Sequence, residues 1–365
     1  MTLAVSAGQG LLLLSDISGY SNYVVGSPLE YAEDVVSDVM ETVIGRLETV
    51  IHVNKVEGDA VFGYALDGDI DATMLLDTIE ECYFAFRGRL RGIEHAVSCT
   101  CPACTKVTDL DLKFVVHHGA FIRRISGRGE ELTGDDVILV HRLLKNGVTA
   151  AHGLHAYAYF TEACVQALGL EPTSLQLCRH VERDVDGADV VGYASDLDAR
   201  WKVEQARRRV RVEDDDADFR VDVPVRASAE LTWELLTSPQ RRLVWQVDAI
   251  EQANVGGRRT TGASSVCVDG RTKIYEEILD WRPFDYYTEL LSLPGGVRAV
   301  LTTSLEPGAG VTRVVTRVRR DGGTRLAWLS ASRRLRRRLE ARYARLAQLA
   351  LVQIPEEHRL PLAPV

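Results

Sequence analysis

The chain has 365 residues, of which 46% are apolar and 26% charged, with a net charge of -9. Values this near globular averages exclude a mainly disordered or fibrous protein, and the negative balance does not favour nucleic acid as a partner. The longest apolar opening, Leu11 to Leu14, is far too short to span a bilayer, and residues 1–10 lack the features of a signal peptide, so the expected compartment is the cytoplasm.

The length favours two domains. Leu11 to Ser15 reads as a buried strand, followed by helical spacing of Val35, Val36, Val39, Met40, Val43, Ile44 and Leu47. Val50 to Lys55 and Ala60 to Ala65 read as a hairpin with an acidic tip. Leu75 to Leu90 is a second helix, Leu110 to His117 and Ala120 to Ile125 a further strand pair, and Val137 to Lys145 another helix. This order predicts an α+β sandwich. From Leu197 the sequence loses apolar period and sets Arg207, Arg208 and Arg209 against Glu213, Asp214, Asp215 and Asp216. That stretch reads as a linker, with a solvated helix as the alternative. Beyond it come a strand, Phe219 to Val225, a short helix, Ser228 to Leu236, several strands from Ala249 through Thr316, and a long terminal helix, Trp328 to Val352. The expected boundaries are residues 8–196, a linker at 197–217, and residues 218–352.

Two carboxylates stand at turns beside strands: Asp16 in Asp16-Ile17-Ser18-Gly19-Tyr20-Ser21 and Asp59 in Lys55-Val56-Glu57-Gly58-Asp59. If the strands are neighbours, the carboxylates converge and could bind a hard cation such as Mg²⁺ together with phosphate oxygens. Taken singly, each also fits an ordinary turn aspartate. The first segment resembles the first metal motif of class III adenylyl and guanylyl cyclases, and the second resembles their lysine, glycine, aspartate hairpin. A third stretch, Glu131 to Leu143, is similar in spacing to the family's base-contacting acid, glycine and transition-state arginine.

The resemblance covers about residues 8 to 195 and implies a ferredoxin-like cyclase domain. It implies that Asp16 and Asp59, with the Ile17 carbonyl, hold two metals, Mg²⁺ or Mn²⁺, and that Gly19, Tyr20 and Ser21 lie against phosphates. Lys55 and Glu131 would read the base, and a lysine at 55 is similar to adenylyl cyclases, so ATP is the expected nucleoside triphosphate. Arg142 would neutralise charge on the α-phosphate. A homodimer is implied, with the metal pair from one copy and Lys55, Glu131 and Arg142 from the other. One departure is plain: Ile138 stands where the family places an asparagine.

Cys99, Cys101 and Cys104 have a spacing that suits three thiolates on Zn²⁺, with Cys82 or His95 as a fourth ligand, or else reduced surface thiols. His117, His118 and His141 read as packed or surface histidines. In the second segment, Phe219 to Val225, Ala229 to Pro239, Trp245 and Glu276 to Pro283 resemble START-like helix-grip domains of the polyketide cyclase/dehydrase superfamily. The resemblance covers about residues 217 to 350 and implies a site for a small apolar ligand. Tyr275, Tyr286 and Tyr287 are pocket-lining or packing residues, and the arginines at 333, 334, 336, 337 and 338 either meet an anion or form a solvated face.

The resulting expectation is a metal-dependent nucleotidyl cyclase, a phosphorus-oxygen lyase making a 3′,5′-cyclic nucleotide and pyrophosphate, with a START-like sensor. Two alternatives stand beside it: a degenerate nucleotide-binding regulatory module, and a protein acting on a small apolar ligand in the helix-grip cavity.

Overall fold

The computed structural model describes residues 4–25, 29–96, 106–126, 129–183, 187–207, 209–255, 258–308 and 310–353. The chain divides into two compact units, Met1–Arg207 and Arg208–Val365. The α+β class expected from the sequence is the one observed.

In the first unit, strand β1 (Ala4–Ser18) leads through helices α1 (Tyr20–Val25) and α2 (Leu29–Leu47) to the hairpin β2 (His52–Glu57) and β3 (Ala60–Leu66). Helix α3 (Ala72–Ala96) returns the chain to β4 (Asp111–Ser126). There follow β5 (Gly129–Thr133), α4 (Asp135–Leu143), α5 (Val148–His152), β6 (Tyr157–Thr161), α6 (Glu162–Leu168), β7 (Cys178–Arg183), β8 (Asp189–Asp196) and α7 (Leu197–Ala206). The sheet order is β2-β3-β1-β4-β6-β8-β7, with β5 paired to β4. Its first four strands, in their βαββαβ chain order, make the ferredoxin-like arrangement.

The run Leu11 to Leu14 is apolar at every position because β1 is central and covered on both faces. Leu11 and Leu13 join a core with Val39, Val43, Leu75, Tyr83 and Phe86 from α2 and α3. Leu12 and Leu14 enter a second core with Phe62, Val115, Val140 and Leu143. Asp16 continues the alternation on the side of Leu12 and Leu14.

Two expectations are corrected. The strand pair at Leu110 to His117 and Ala120 to Ile125 is one continuous strand, β4, which pairs with β1 from Ala4↔Ile125 to Ser18↔Asp111. Gly119 does not turn the chain there; a Cβ on it would lie 2.4 Å from the Asp136 side chain, so the small residue admits a close approach. The stretch read as a linker is structured as well. Its first half is α7, whose Trp201 is 9% exposed and packs on Phe84 at 5.3 Å. Its second half joins the other unit through buried Val212, whose N–H donates to Thr302 Oγ1 at 2.8 Å, and through Arg317, which donates to Asp214 at 2.8 and 3.0 Å.

The second unit opens with β9 (Phe219–Val225), α8 (Ala229–Thr237) and α9 (Pro239–Trp245). An antiparallel meander follows: β10 (Ala249–Ala253), β11 (Ser264–Asp269), β12 (Thr272–Arg282), β13 (Tyr286–Leu293), β14 (Val297–Gly308) and β15 (Val311–Gly322). The order β10-β11-β12-β13-β14-β15-β9 returns the first strand to the last. Helix α10 (Arg325–Gln353) buries Trp328, Ala331, Leu335, Leu339, Tyr343, Leu346 and Ala350, a stripe at helical spacing. Tyr343 is tied to the sheet by a 2.6 Å hydroxyl bond with Thr316, so the long helix is gripped as expected.

Candidate functional site

Asp16 and Asp59 stand at adjoining strand ends. Asp16 pairs with Ala60 across β1 and β3, and the Ile17 N–H donates to the Asp59 carbonyl at 3.1 Å, which fixes the β2–β3 turn against the end of β1. Gly58 at the turn has φ of 65° and Gly19 beyond β1 has φ of 87°, left-handed conformations that glycine adopts without strain. A Cβ on Gly19 would also lie 3.2 Å from the Asp109 carbonyl oxygen. Burial, then the neighbouring charge of Asp16, raises the Asp59 carboxyl above its ordinary value, while Lys113 opposes the shift.

Lys113 was not anticipated. It lies on β4 directly opposite Asp16, and its Nζ is 3.0 Å from Asp16 Oδ2. The sequence Leu112-Lys113-Phe114 looks like an ordinary alternating strand, and only the β1–β4 register places its amine at the acidic pair. On its other side Lys113 is opposite Tyr157, whose hydroxyl donates to Asn146 Oδ1 at 2.9 Å.

The fit to a divalent ion can be judged from this donor set. Two juxtaposed carboxylates that repel one another offer hard oxygens, as Mg²⁺ and Mn²⁺ require, and Mg²⁺ needs only one or two protein carboxylates when phosphate oxygens complete the shell. Among the described residues there is no cluster of three or more His, Cys, Asp or Glu able to hold a metal. Two aspartate carboxylates suit a cation whose remaining coordination places are filled by phosphate oxygens.

The other residues expected at the site are spread over α1, β2, β5 and α4. Tyr20 is half-buried and Ser21 exposed at the start of α1, while Ile17 is buried at 1% exposure. Lys55 is ion-paired with Glu57, and this neighbour holds the Glu57 carboxyl below its usual range. Glu57 Oε2 also lies 3.6 Å from His141 Nε2, and the His141 ring packs on Phe62 at 4.8 Å. The adjacent Arg142 is exposed on α4, one turn beyond Ile138, which is 50% exposed. Glu131 is exposed and pairs with Arg124 at 3.4 Å. Its neighbour Glu130, which the sequence did not single out, is a hub: Arg123 Nε donates to it at 2.7 Å and Tyr64 Oη at 3.0 Å, and His52 Nε2 lies 2.8 Å away.

Cys99, Cys101 and Cys104 lie outside the described residues. Cys82 is fully buried in the α2–α3 core, donates to the Val43 carbonyl, and has its thiol pushed up by burial. His117 joins Thr161 at 2.9 Å and Asp136 at 3.1 Å, His118 joins Asp67 at 2.8 Å, and His141 Nδ1 lies 2.8 Å from the Val137 carbonyl.

In the second unit the interior is more charged than the resemblance implied. Arg242, Arg259, Glu276 and Glu289 are all buried beneath α10, with Arg242 donating to Glu276 Oε2 at 2.7 Å and Arg259 3.6 Å from Glu289 Oε2. Arg259 also lies over the rings of Trp281 and Tyr287, each at 5.7 Å. Burial, then the charge of Glu276, pushes the Glu289 carboxyl up. Glu276 moves the other way, because the charges of Arg242 and Arg259 and hydrogen bonds from Arg242 and Ser265 outweigh its burial. Tyr287 is buried in this interior, Tyr286 is buried with its hydroxyl on Asp280 at 2.8 Å, and Tyr275 is exposed. Of the basic cluster on α10, Arg338 pairs with Asp269 at 3.1 Å and Arg336 lies 4.9 Å over the Phe219 ring.

The chain thus joins a unit with a ferredoxin-like layout to a unit in which an antiparallel sheet grips one long helix. Residues 216–350 match the family model described as polyketide cyclase / dehydrase and lipid transport. Residues 36–152 match one described as a protein of unknown function (DUF2652). A stretch of 132 residues is 33% identical to an uncharacterized protein of Mycobacterium tuberculosis, over 36% of this chain and 59% of that protein, so less than two thirds of the relative's length is spanned. Among solved structures, a bacterial light-regulated adenylyl cyclase is similar at 15% identity over 53% of this chain and 52% of its own, with a TM-score of 0.41. The adenylyl cyclase CyaB from P. aeruginosa is similar at 14% identity over 53% of this chain and 96% of its own, with a TM-score of 0.39. A putative protein of the dynemicin biosynthetic locus is 24% identical over 37% of this chain and 48% of its own, with a TM-score of 0.31.

Proposed function

We propose that the chain is a metal-dependent nucleotidyl cyclase that converts ATP, or another nucleoside triphosphate, into a 3′,5′-cyclic nucleotide and pyrophosphate. The observation that supports this best is that Asp16 and Asp59 stand at adjoining strand ends, with Gly58 in the turn and Gly19 beyond β1 in left-handed conformations. In the reaction the ribose 3′-oxygen bonds to the α-phosphorus, the bond to pyrophosphate breaks, and the 3′-hydroxyl proton passes to water. A bound Mg²⁺ or Mn²⁺ would supply Lewis acidity toward the 3′-oxygen and the triphosphate.

The chain's own residues divide the remaining work. Asp16 and Asp59 bind the cation, with the Ile17 carbonyl beside them, and Gly19, Tyr20 and Ser21 lie against the phosphates. Arg142 stabilises charge on the α-phosphate, and Lys55 and Glu131 select the base. Two copies act together, the aspartates of one facing Lys55, Glu131 and Arg142 of the other. The second unit serves as sensor, and its buried Arg242, Glu276, Arg259 and Glu289 favour a ligand with a polar group on an apolar body.

A second reading has its own support in Ile138, which cannot make the hydrogen bond of an asparagine: a module that binds nucleotide without turning it over. Purified chain incubated with Mn²⁺ or Mg²⁺ and each triphosphate separates the two. Cyclic product and pyrophosphate, both lost in Asp59→Ala, support the enzyme; nucleotide binding without product overturns it in favour of the module.

A further inference from the structure

We propose that the Lys113 ammonium permanently holds one of the two cation places beside Asp16 and Asp59, so that this site works with a single divalent ion, the one that arrives with the triphosphate. The inference rests on the nucleotide reading of the same carboxylates. It starts from geometry: Lys113 Nζ is 3.0 Å from Asp16 Oδ2, and both side chains are largely shielded, at 20% and 16% exposure. An ion pair so placed is less screened by solvent than a surface pair.

The backbone keeps the amine there. Lys113 is an interior residue of β4, paired with Asp16 of β1 on one side and Tyr157 of β6 on the other, and its neighbours Leu112 and Phe114 are fully buried. A strand position held from both sides cannot swing out as a loop lysine does.

Charge then decides the number of ions. Two aspartates carry two negative charges and Lys113 one positive, leaving one negative charge in the absence of ligand. One divalent ion reverses that sign, and a second would face both the ammonium and the first ion a few ångströms away. The single ion that arrives with the triphosphate coordinates its oxygens, which complete its shell. The ammonium does the charge-neutralising part of the missing ion's work but offers no coordination site to a ribose oxygen.

The test counts ions. Mn²⁺ is titrated into the full-length chain with a saturating nonhydrolysable ATP analogue, and bound Mn²⁺ is read from the loss of the free-ion electron paramagnetic resonance signal. The expected result is one Mn²⁺ per protomer in the wild type and two in Lys113→Met, with Lys113→Gln as a second variant and circular dichroism to confirm folding of each. Without nucleotide, Lys113→Met should bind Mn²⁺ at least about tenfold more tightly than the wild type. Two ions in the wild type, or one in both wild type and variants, overturns the role of Lys113. A count unchanged in the Asp16→Asn, Asp59→Asn double variant instead overturns the nucleotide reading itself, so the two failures are distinct.

Discussion

The Ile17 N–H donates to the Asp59 carbonyl at 3.1 Å, and this one backbone bond aligns the tip of the β2–β3 hairpin with the end of β1. Asp16 and Asp59 are thereby set side by side on a sheet whose two faces are both packed, Leu11, Leu13 and Ile17 on one and Leu12 and Leu14 on the other. Carboxylates on strand ends of this kind are held more firmly than carboxylates on a free loop.

Ile138→Asn should raise turnover. Ile138 is 50% exposed on α4, so asparagine costs little packing there, and the two residues have similar helix propensity. One hydrogen bond to the ribose in the transition state corresponds to about a tenfold gain in kcat. Steady-state cyclic nucleotide formation measures it; an unchanged rate would show that α4 does not face the ribose.

Mixing two inactive variants tests the shared site. Asp59→Ala spoils the aspartate side and Arg142→Ala the other, and each alone should lose most activity. Co-expressed, a mixed dimer keeps one intact site, restoring about a quarter of wild-type activity when subunits pair at random. No restoration would place both halves of the site in one copy.

Trp201→Ala should destabilise the first unit by about 3 kcal/mol. The indole is 9% exposed, packs on Phe84, and lies beneath Arg91 at 5.2 Å from its guanidinium carbon. Urea denaturation followed by circular dichroism checks it, and a change near zero would return residues 197–206 to the status of a linker.

Glu289→Gln should change how the second unit's stability responds to pH. Burial, then Glu276, raises the Glu289 carboxyl, so the folded state holds its proton to higher pH than the unfolded chain, whose value is near 4.5. The contribution is therefore fully present below 4.5 and is lost as pH rises through the raised folded value. Melting followed by tryptophan fluorescence reports mainly on this unit, which contains Trp233, Trp245, Trp281 and Trp328. From pH 5 to pH 8 the wild type should lose stability relative to Glu289→Gln; a parallel response would show that the carboxyl does not titrate in this window.

Periodicity made α2, the β2–β3 hairpin and the terminal helix legible, because each buries one regular face. It failed at β4, where His118 and Gly119 read as a break between two strands but lie extended against β1. It failed again at residues 197–217, where Trp201 and Val212 are single anchors in a charged stretch and no window average reveals them. Asp16 and Asp59 read singly as turn aspartates beside strands, and the resemblance to class III cyclase motifs singled them out as a pair. Lys113 and Glu130 were not legible, since their significance comes from cross-strand register and from hydrogen bonds between residues far apart in sequence.

The most direct measurement is the anomalous difference map of crystals of the chain grown with Mn²⁺ and a nonhydrolysable ATP analogue. The predicted result is a manganese peak on the order of 2 Å from carboxylate oxygens of both Asp16 and Asp59, touching a phosphate of the analogue. Nucleotide bound elsewhere, or density for the analogue with no metal between those two aspartates, would contradict the account.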